Sequence, residues 1–338
     1  MKNKIKNLSD TNLLLTITIV VFFLMYIGAV VFLGEGFLKP QTFLNILNAN
    51  AALIITACGM SIVMITGGID ISVGGVVALV SMSCAVYLDY HKGNVAVSIL
   101  IAIGIGLAFG IVQGFLVAYL DIQPFIVSLA GMFFARGMTT IVHTNPFNVE
   151  NESFVALKNT RIKVPGLGSV NRLGKYVDAY IGIGVVVALL IVVILFCVLR
   201  WTKLGRNFYA VGGNRQSALM LGINVKKTRF IAHLLCGLLA GIGGYVYFLY
   251  VGSGAPSHAS GMEMNAIASS IIGGTMLTGG VGNIIGSLFG VLSLSTIQNI
   301  VSSVGLDEAW WTGITVAAML CIFLVIQSVV MSRKKKSV

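Results

Sequence analysis

The residues best able to do chemistry are the few charged side chains that interrupt apolar stretches of membrane-spanning length. Asp70 lies in a glycine-rich turn, Arg136 lies within one apolar stretch, and Glu263 precedes another. A charge is costly to bury in an apolar environment, so each of the three is a candidate for a functional role. For Arg136 and Glu263, local pairing or extension of the charged end towards water is the favoured interpretation.

Asp70 belongs to the segment GGIDISVGG, residues 67–75, and it has two interpretations. It could cap the N-terminus of the following helix at a membrane interface, with Ser72 assisting. Alternatively, Asp70, Ser72 and Gly74 form a hairpin turn that takes part in gating and conformational coupling.

Two uncharged polar residues, Gln113 and Asn265, lie within apolar stretches and could hydrogen-bond a solute along its path. Hydrogen bonds between helices are the more frequent use of such side chains in membranes. Both interpretations are open for each residue.

The sequence contains no recognisable catalytic, metal or nucleotide site. Its four histidines are scattered, without HExxH spacing, and no GxSxG is present. Its five cysteines lie inside apolar runs with no close spacing, which argues against a disulfide framework or a zinc site. No stretch matches the GxxxxGK[ST] phosphate loop. We therefore expect no catalytic residue, metal or cofactor, and any ATP must be bound by another protein.

The composition explains why these polar residues stand out. Of 338 residues, 57% are hydrophobic and only 10% are charged, whereas soluble domains carry about 25% charged residues. A soluble protein is thereby excluded. The net charge of +11 comes from basic residues clustered at Lys2, Lys4 and Lys6, at 200–229 and at 333–336. Such clusters mark the cytoplasmic side of a membrane protein, so they indicate orientation and not nucleic-acid binding.

Ten apolar stretches predict an all-α membrane protein of about ten spans. They lie at 13–33, 51–66, 71–88, 95–120, 125–142, 179–199, 230–251, 265–278, 281–301 and 310–331. Even numbers of spans separate the three basic clusters, which places both termini and the 200–229 loop in the cytoplasm and the 143–178 loop outside. The hairpins at 51–88 and 265–301 have short arms, and re-entrant hairpins would give the same parity.

Two sets of glycines recur at four-residue spacing. They are Gly106, Gly110 and Gly114, and Gly282, Gly286 and Gly290. On a helix, each set forms a smooth stripe that lets another backbone approach closely. The two stripes predict a tightly packed helical bundle.

The 200–229 loop contains seven basic residues, no acidic residue and the signals of a miniature helix. Asn214 is typical of an N-cap, and Gly222 is typical of a helix end. The apolar residues 218–221 form one end of this helix. Such a short helix is marginal alone, so it rests either on its own bundle or the lipid interface, or in a groove of another protein.

Four blocks of this sequence resemble a known family. They are GGIDISVGG at 67–75, SLAGMFFARG at 128–137, YAVGGNRQSALMLGI at 209–223 and IGGTMLTGGVGNIIGSLFGVL at 272–292. Together and in this order they resemble the permease subunits of ribose-type ABC sugar importers over essentially the whole chain. Within that family, SLAGMFFARG and the WWT at 310–312 are most similar to galactofuranose-importer permeases.

The resemblance implies a single transmembrane permease domain over residues 1–338, with ten helices, in the bacterial inner membrane. It also implies three partners: an ABC-type ATPase, an extracytoplasmic sugar-binding protein, and a second permease subunit, identical or paralogous. The miniature helix would be the segment that couples to the ATPase. The coupling residues would be Gly212, Gly213, Asn214, Arg215, Ala218, Leu219, Leu221 and Gly222.

The expected function is therefore ATP-driven import of a monosaccharide such as galactofuranose or ribose, with catalysis left to the ATPase. The scarcity of intramembrane charge suits a neutral solute. The alternative is an ion-coupled secondary transporter of a small neutral solute. That alternative needs a titrating carboxylate within the membrane, and Asp70 and Glu263 are its plausible sources.

Overall fold

The computed structural model describes residues 10–170, 176–305 and 308–335. Lys2, Lys4, Lys6 and Lys336, on which the orientation partly rests, lie outside these ranges. Within them the chain is mostly helical, as the composition predicts. The helices are α1 (Asp10–Leu33), α2 (Glu35–Leu38), α3 (Pro40–Ile65), α4 (Val73–Asp89), α5 (Val95–Ala118), α6 (Pro124–Val142), α7 (Glu152–Lys158), α8 (Ile183–Trp201), α9 (Lys203–Gly213), α10 (Arg215–Met220), α11 (Val225–Val251), α12 (Met262–Ile272), α13 (Ile284–Ser303) and α14 (Ala309–Lys335).

Eight helices of the described part are long and apolar enough to cross a membrane: α1, α3, α5, α6, α8, α11, α13 and α14. The apolar helix α4 has 17 residues and α12 has 11. At 1.5 Å per residue they measure about 26 Å and about 17 Å, against a hydrocarbon core of about 30 Å. Of the ten predicted spans, the one at 265–278 therefore corresponds to a helix too short to cross alone.

Several helix boundaries differ from those predicted, and three of the helix starts have a local cause. Helix α3 begins at Pro40 and not at residue 51, because proline suits the first turn of a helix. Helix α8 begins at Ile183, because residues 176–182 form a strand. Helix α13 begins at Ile284, because the Asn283 side chain accepts a hydrogen bond from the backbone nitrogen of Ile285 at 2.8 Å and caps the helix there.

The core consists of helices that are buried on most sides. Helix α11 packs against α3, α4 and α5, and most side chains of α3 and α4 are buried. In contrast, α1, α5, α6 and α14 bury one face and expose apolar side chains on the other. The arrangement is that of a helical bundle whose outer helices face lipid.

Short strands lie in the segment predicted as an external loop, directly after it, and after α11. Strand β1 (Phe147–Asn148) pairs antiparallel with β4 (Ser253–Gly254), and β2 (Arg161–Val170) pairs antiparallel with β3 (Tyr176–Gly182). Between them, Phe154 of α7 stacks on Phe248 of α11 with ring centroids 4.3 Å apart. These contacts cover the end of the bundle opposite the 200–229 segment, which we call the opposite end. The end that carries residues 200–229 is called the basic end.

The first glycine stripe lies against α11. An added Cβ at Gly106 would overlap the carbonyl oxygen of Gly237 and lie 2.8 Å from the Cα of Gly241. At Gly110 it would lie 2.9 Å from the Cα of Leu234, and at Gly114 it would lie 3.0 Å from the oxygen of Phe230. The missing side chains therefore set the distance between α5 and α11.

The expectation of a second stripe is wrong at Gly282, which precedes the Asn283 cap and is not helical. Gly282 instead contacts Ile65 and Thr275. Gly286 and Gly290 do lie on α13, and an added Cβ at either would overlap the backbone oxygen of Gly273 or Ser269. This stripe holds α13 against the end of α12.

We expect Gly106→Ala to lower the free energy of unfolding by about 1–3 kcal/mol, the usual cost of overpacking. The control is Gly104→Ala on the same helix, where an added Cβ meets nothing within 4 Å. Because alanine forms helix better than glycine by up to about 1 kcal/mol, the control variant should be neutral or slightly more stable. Unfolding with a denaturing detergent measures both, and equal effects would refute the packing role of Gly106.

Candidate functional site

The basic end presents two consecutive short helices. Thr202 caps α9 by accepting a hydrogen bond from the backbone nitrogen of Gly205 at 3.2 Å. Gly205, Phe208 and Val211 are buried, so this face of α9 rests on the bundle. The Tyr209 hydroxyl donates to the carbonyl oxygen of Gly282 at 2.9 Å. Burial raises the pKa of Tyr209 to about 12.

The miniature helix between Asn214 and Gly222 is present as α10. The Asn214 side chain accepts from the backbone nitrogen of Ser217 at 2.9 Å, as an N-cap does. At the other end, Gly222 has a φ of 77°. The backbone nitrogens of Gly222 and Ile223 donate to the carbonyl oxygens of Leu219 and Ala218 at 2.9 and 3.0 Å. This pair of bonds is a Schellman motif, so both ends of α10 are defined by local sequence.

One side of α10 touches the protein and the other does not. Ala218 is 1% exposed, whereas Leu219, Met220 and Leu221 are 62%, 88% and 77% exposed. We call these last three residues the α10 tip. An apolar cluster of this kind marks an interaction surface when it lies outside the lipid.

Five glycines bring the α9–α10 corner against two turns of the bundle, and we call them the glycine junction. They are Gly67, Gly212, Gly213, Gly279 and Gly280. An added Cβ at Gly279 would lie 2.8 Å from the oxygen of Gly212 and 3.0 Å from the nitrogen of Gly67, and one at Gly280 would lie 2.8 Å from the Cα of Gly213. These contacts are between backbones, so the corner and both turns touch with no flexible side chain between them.

The first of these turns, residues 66–72, joins α3 to α4. The second, residues 273–283, joins α12 to α13. The backbone nitrogen of Gly280 in the second turn donates to the carbonyl oxygen of Ile65, the last residue of α3, at 2.9 Å. An added Cβ at Gly212 would overlap the same carbonyl oxygen. The two turns and the corner therefore form one contact region at the basic end.

Asp70 and Ser72 of the first turn form a buried chain of hydrogen bonds with Gln113 of α5. The Asp70 carboxylate, 2% exposed as a residue, accepts hydrogen bonds from the backbone nitrogen and hydroxyl of Ser72 at 3.0 and 2.6 Å. Gln113 donates its amide nitrogen to the Ser72 hydroxyl oxygen at 2.7 Å. The interfacial capping interpretation is wrong for Asp70, because α4 begins after Ser72 and the carboxylate is enclosed by the bundle.

Gln113 and Asn265 have different surroundings in the structure. Gln113 is buried and bonds from α5 to Ser72 just before α4, while its side-chain oxygen has no hydrogen-bond partner among the residues that the structure describes. Asn265 lies partly exposed on the first turn of α12, where its backbone nitrogen donates to the oxygen of Gly261 at 3.1 Å. The structure joins Gln113 to Asp70 and Ser72 but places Asn265 on a different element.

Gly74, Glu263 and Arg136 meet where α4, α12 and α6 come together. An added Cβ at Gly74 would overlap a carboxylate oxygen of Glu263. The Arg136 guanidinium lies 3.8 Å from this carboxylate and donates to the carbonyl oxygens of His258 and Ala259 at 2.5 and 2.8 Å. Local pairing is thus confirmed for Arg136 and Glu263. Their pairing fixes the irregular 255–261 segment that leads into α12.

A polar cavity of about 610 Å³ at the opposite end was missed from the sequence. It lies between the start of α3, the start of α8 and the end of α11, and its lining includes Asn45, Asn48, Tyr180, Tyr250 and Asn299. The amides and aromatic rings are suited to a polar solute, and Lys158 and Arg161 add positive charge to the lining. The asparagines at i and i+3 in residues 45–48 were a usable signal, since they lie on one face of α3.

Comparison with known proteins identifies the family of this chain. The model of the family described as branched-chain amino acid transport system / permease component matches residues 42–324. The chain is 37% identical to the inner membrane ABC transporter permease protein YjfF of Escherichia coli K12, over 94% of this chain and 92% of that protein. It is 33% identical to the fructose import permease protein FruG of Bifidobacterium longum, over 96% and 93% of the two chains.

It is also 34% identical to the ribose import permease protein RbsC of Escherichia coli K12, over 89% of this chain and 90% of that protein. No solved structure matches the chain. The family model covers most of the chain, and the relatives match nearly its whole length. The chain therefore belongs to the branched-chain amino acid transport system / permease component family, as a ribose-type ABC permease that crosses the inner membrane several times.

Proposed function

We propose that this permease imports a monosaccharide into the cytoplasm, driven by a separate ABC-type ATPase that binds the α10 tip. Ribose and fructose are named for relatives at 34% and 33% identity, and the sequence resemblance adds galactofuranose. The observation that carries the proposal is the exposed apolar tip on a helix that directly follows the α9–α10 corner, where Gly212 and Gly213 meet the other residues of the glycine junction. An isolated surface helix would need no such contact with two turns of the bundle.

Membership of this family implies two partners, an ATPase subunit and a substrate-binding protein. We further propose that a second permease subunit, identical or paralogous, completes the transmembrane part. The basic end would face the cytoplasm, in line with its seven basic residues between 200 and 229. The polar cavity at the opposite end would then face the substrate-binding protein. In this proposal residues 1–338 form one permease domain, the chain binds no nucleotide, and it carries out no catalysis itself.

The proposed power stroke begins at α10 and ends at the two turns. Closure of the ATPase pair would displace α10, and the α9–α10 corner would move with it. Gly212 and Gly213 pack directly on Gly279 and Gly280, so a displacement of the corner has to move the 273–283 turn. Gly279 in turn contacts Gly67, so the 66–72 turn would follow.

Helices α4 and α12 are the elements most able to respond, because neither has the full length of a span. Both start inside the bundle, where Gly74 and Glu263 touch. Broken helices of this kind surround the substrate sites of many transporters. We propose that Asp70, Ser72 and Gly74 act in gating and that Gln113 and Asn265 border the substrate path.

Ion-coupled secondary transport is not favoured. The relatives are named as ABC transporter and sugar import permeases. In addition, both plausible carboxylates have partners in the structure, Asp70 in Ser72 and Glu263 in Arg136.

The test is Leu221→Asp, which places a charge on the α10 tip without touching the bundle. We expect sugar-stimulated ATP hydrolysis to fall at least about tenfold in proteoliposomes that contain the ATPase and the binding protein, because a single hot-spot change costs about 2 kcal/mol or more. The control is Trp201→Asp at the end of α8, which adds the same charge at an apolar residue that is also exposed at the basic end. Full stimulation in Leu221→Asp, with the permease folded and inserted, would overturn the proposal.

A further inference from the structure

The surface around α10 contains a cavity lined by charged groups. It has a volume of about 420 Å³ and is bordered by Arg215, Arg229, Asp121, Gln123 and residues of the 66–72 turn. Arg215 is the first residue of α10 and Arg229 belongs to α11. The cavity therefore lies beside the proposed docking helix and next to the 66–72 turn, which belongs to the contact region of the α9–α10 corner.

The charges in this cavity do not balance. Arg229 is buried and donates to the Asp121 carboxylate at 2.7 Å, which holds the pKa of Asp121 below its ordinary value. Arg215 makes no ion pair within 4.0 Å in the described part of the chain. Burial and the charge of Arg229 lower the pKa of the Arg215 guanidinium, and Asp121 opposes them. The Asp121 carboxylate thus faces two arginines, and the cavity has room for a second carboxylate.

We propose that the cavity is a receptor for a carboxylate of the ATPase, an Asp or Glu on the rim of the groove that takes the α10 tip, with Arg215 as its main contact. This inference rests on the proposed function. A guanidinium binds a carboxylate through two parallel hydrogen bonds, which fixes the angle as well as the position of the partner. The tip would supply apolar contact, and Arg215 would fix register and partner choice.

Charge complementarity favours a protein partner with an acidic rim. The 200–229 segment carries seven basic residues and no acidic one, so a partner that covers α10 must face several positive charges. Like charges across an interface cost several kcal/mol. An anionic lipid headgroup is the competing occupant, and the experiment is designed to detect it.

The first measurement is the dissociation constant of the purified ATPase for the full-length permease in nanodiscs of phosphatidylcholine. We expect Arg215→Glu to weaken binding by about 30-fold or more. Lys227→Glu makes the same charge change at an exposed residue of the same segment that does not line the cavity, and we expect an effect below about threefold. Equal weakening by both variants would overturn the proposal, and so would a loss that appears only in nanodiscs with anionic lipid.

The second measurement identifies the contact. In Arg215→Lys, a zero-length carbodiimide should join the introduced amine to a carboxylate of the ATPase by an amide bond, and mass spectrometry of the peptides would locate it. A cross-link from the exposed Lys227 alone would overturn the proposal. Leu221→Asp distinguishes failure of the proposed function from failure of the carboxylate receptor. If Leu221→Asp leaves ATPase binding unchanged, the proposed function fails. If Leu221→Asp weakens binding and Arg215→Glu does not, only the carboxylate receptor is refuted.

Discussion

Gly212→Ala should uncouple ATP hydrolysis from sugar uptake. One added methyl group would overlap the carbonyl oxygen of Ile65 and come within 2.6 Å of the backbone nitrogen of Gly280. These two atoms form the hydrogen bond that joins the end of α3 to the 273–283 turn. Backbone atoms cannot rotate out of the way as a side chain can, so the corner or the turn has to shift.

The expected size follows from the free energies involved. Overpacking costs about 1–3 kcal/mol. The usual coupling free energy between two sites lies in the same range and corresponds to a change of about 5–150-fold in an equilibrium constant. We therefore expect ATP-dependent uptake to fall at least about tenfold. Binding of the ATPase should persist, because the α10 tip is unchanged.

The neighbouring glycine provides the control. The backbone of Gly213 also belongs to the glycine junction, but a Cβ added there meets nothing within 4 Å, so Gly213→Ala adds the same methyl group without crowding the junction. Uptake and ATP hydrolysis in proteoliposomes should stay near the unmodified level in this variant. If Gly213→Ala were as defective as Gly212→Ala, loss of helix geometry and not the contact with Ile65 would be the cause.

Arg136→Met should produce the largest loss of stability from a single side chain. It removes the partner of the largely buried Glu263 carboxylate and two hydrogen bonds to the carbonyl oxygens of His258 and Ala259. Removing one member of a buried ion pair costs about 3–5 kcal/mol. Because the Arg136 side chain is 23% exposed, we expect about 3 kcal/mol in the free energy of unfolding.

Two further variants make this prediction specific. Lys163→Met breaks the ion pair between Lys163 and Asp178, whose side chains are 78% and 41% exposed respectively. This variant should lower the free energy of unfolding by less than about 1 kcal/mol. The double variant Arg136→Met with Glu263→Met leaves no unpaired charge and should be more stable than Arg136→Met alone. A double variant less stable than Arg136→Met would show that desolvation of Glu263 is not the cause.

The sequence alone predicted the elements whose signals are local. The mostly helical membrane fold follows from long apolar stretches, and α10 follows from Asn214 and Gly222, which act within a few residues. For Arg136 and Glu263 the sequence indicated only local pairing or extension towards water, and the fold shows that the two residues pair with each other.

Most of the sequence predictions that were wrong depend on contacts between residues far apart in the chain. The start of α3 was missed because asparagines interrupt its apolar pattern, yet Asn50 donates to the Ser295 hydroxyl at 2.7 Å and Asn48 accepts from the backbone nitrogen of Gly182 at 2.8 Å. The early end of α12 is an exception, because its cause is local. Gly274 has a φ of 86°, and the backbone nitrogens of Gly274 and Thr275 donate to the carbonyl oxygens of Ile271 and Ser270 at 2.9 and 3.0 Å, which is a Schellman motif.

The glycine junction was beyond sequence reasoning for the same reason. Gly67, Gly212 and Gly279 were each interpretable as turn or loop residues, and only the fold brings their backbones together. The sequence could indicate that α10 needs a partner surface. It could not indicate which turns of the bundle α10 would move.

The central claim is that the nucleotide state of the ATPase reaches the 66–72 and 273–283 turns through α10 and the glycine junction. Hydrogen–deuterium exchange on the assembled transporter, with and without a non-hydrolysable ATP analogue, measures this directly. We predict that amide exchange in both turns, including Gly67 and Gly280, changes with nucleotide in the unmodified protein and does not change in Leu221→Asp. Equal exchange with and without nucleotide in a transporter that imports sugar would contradict the account.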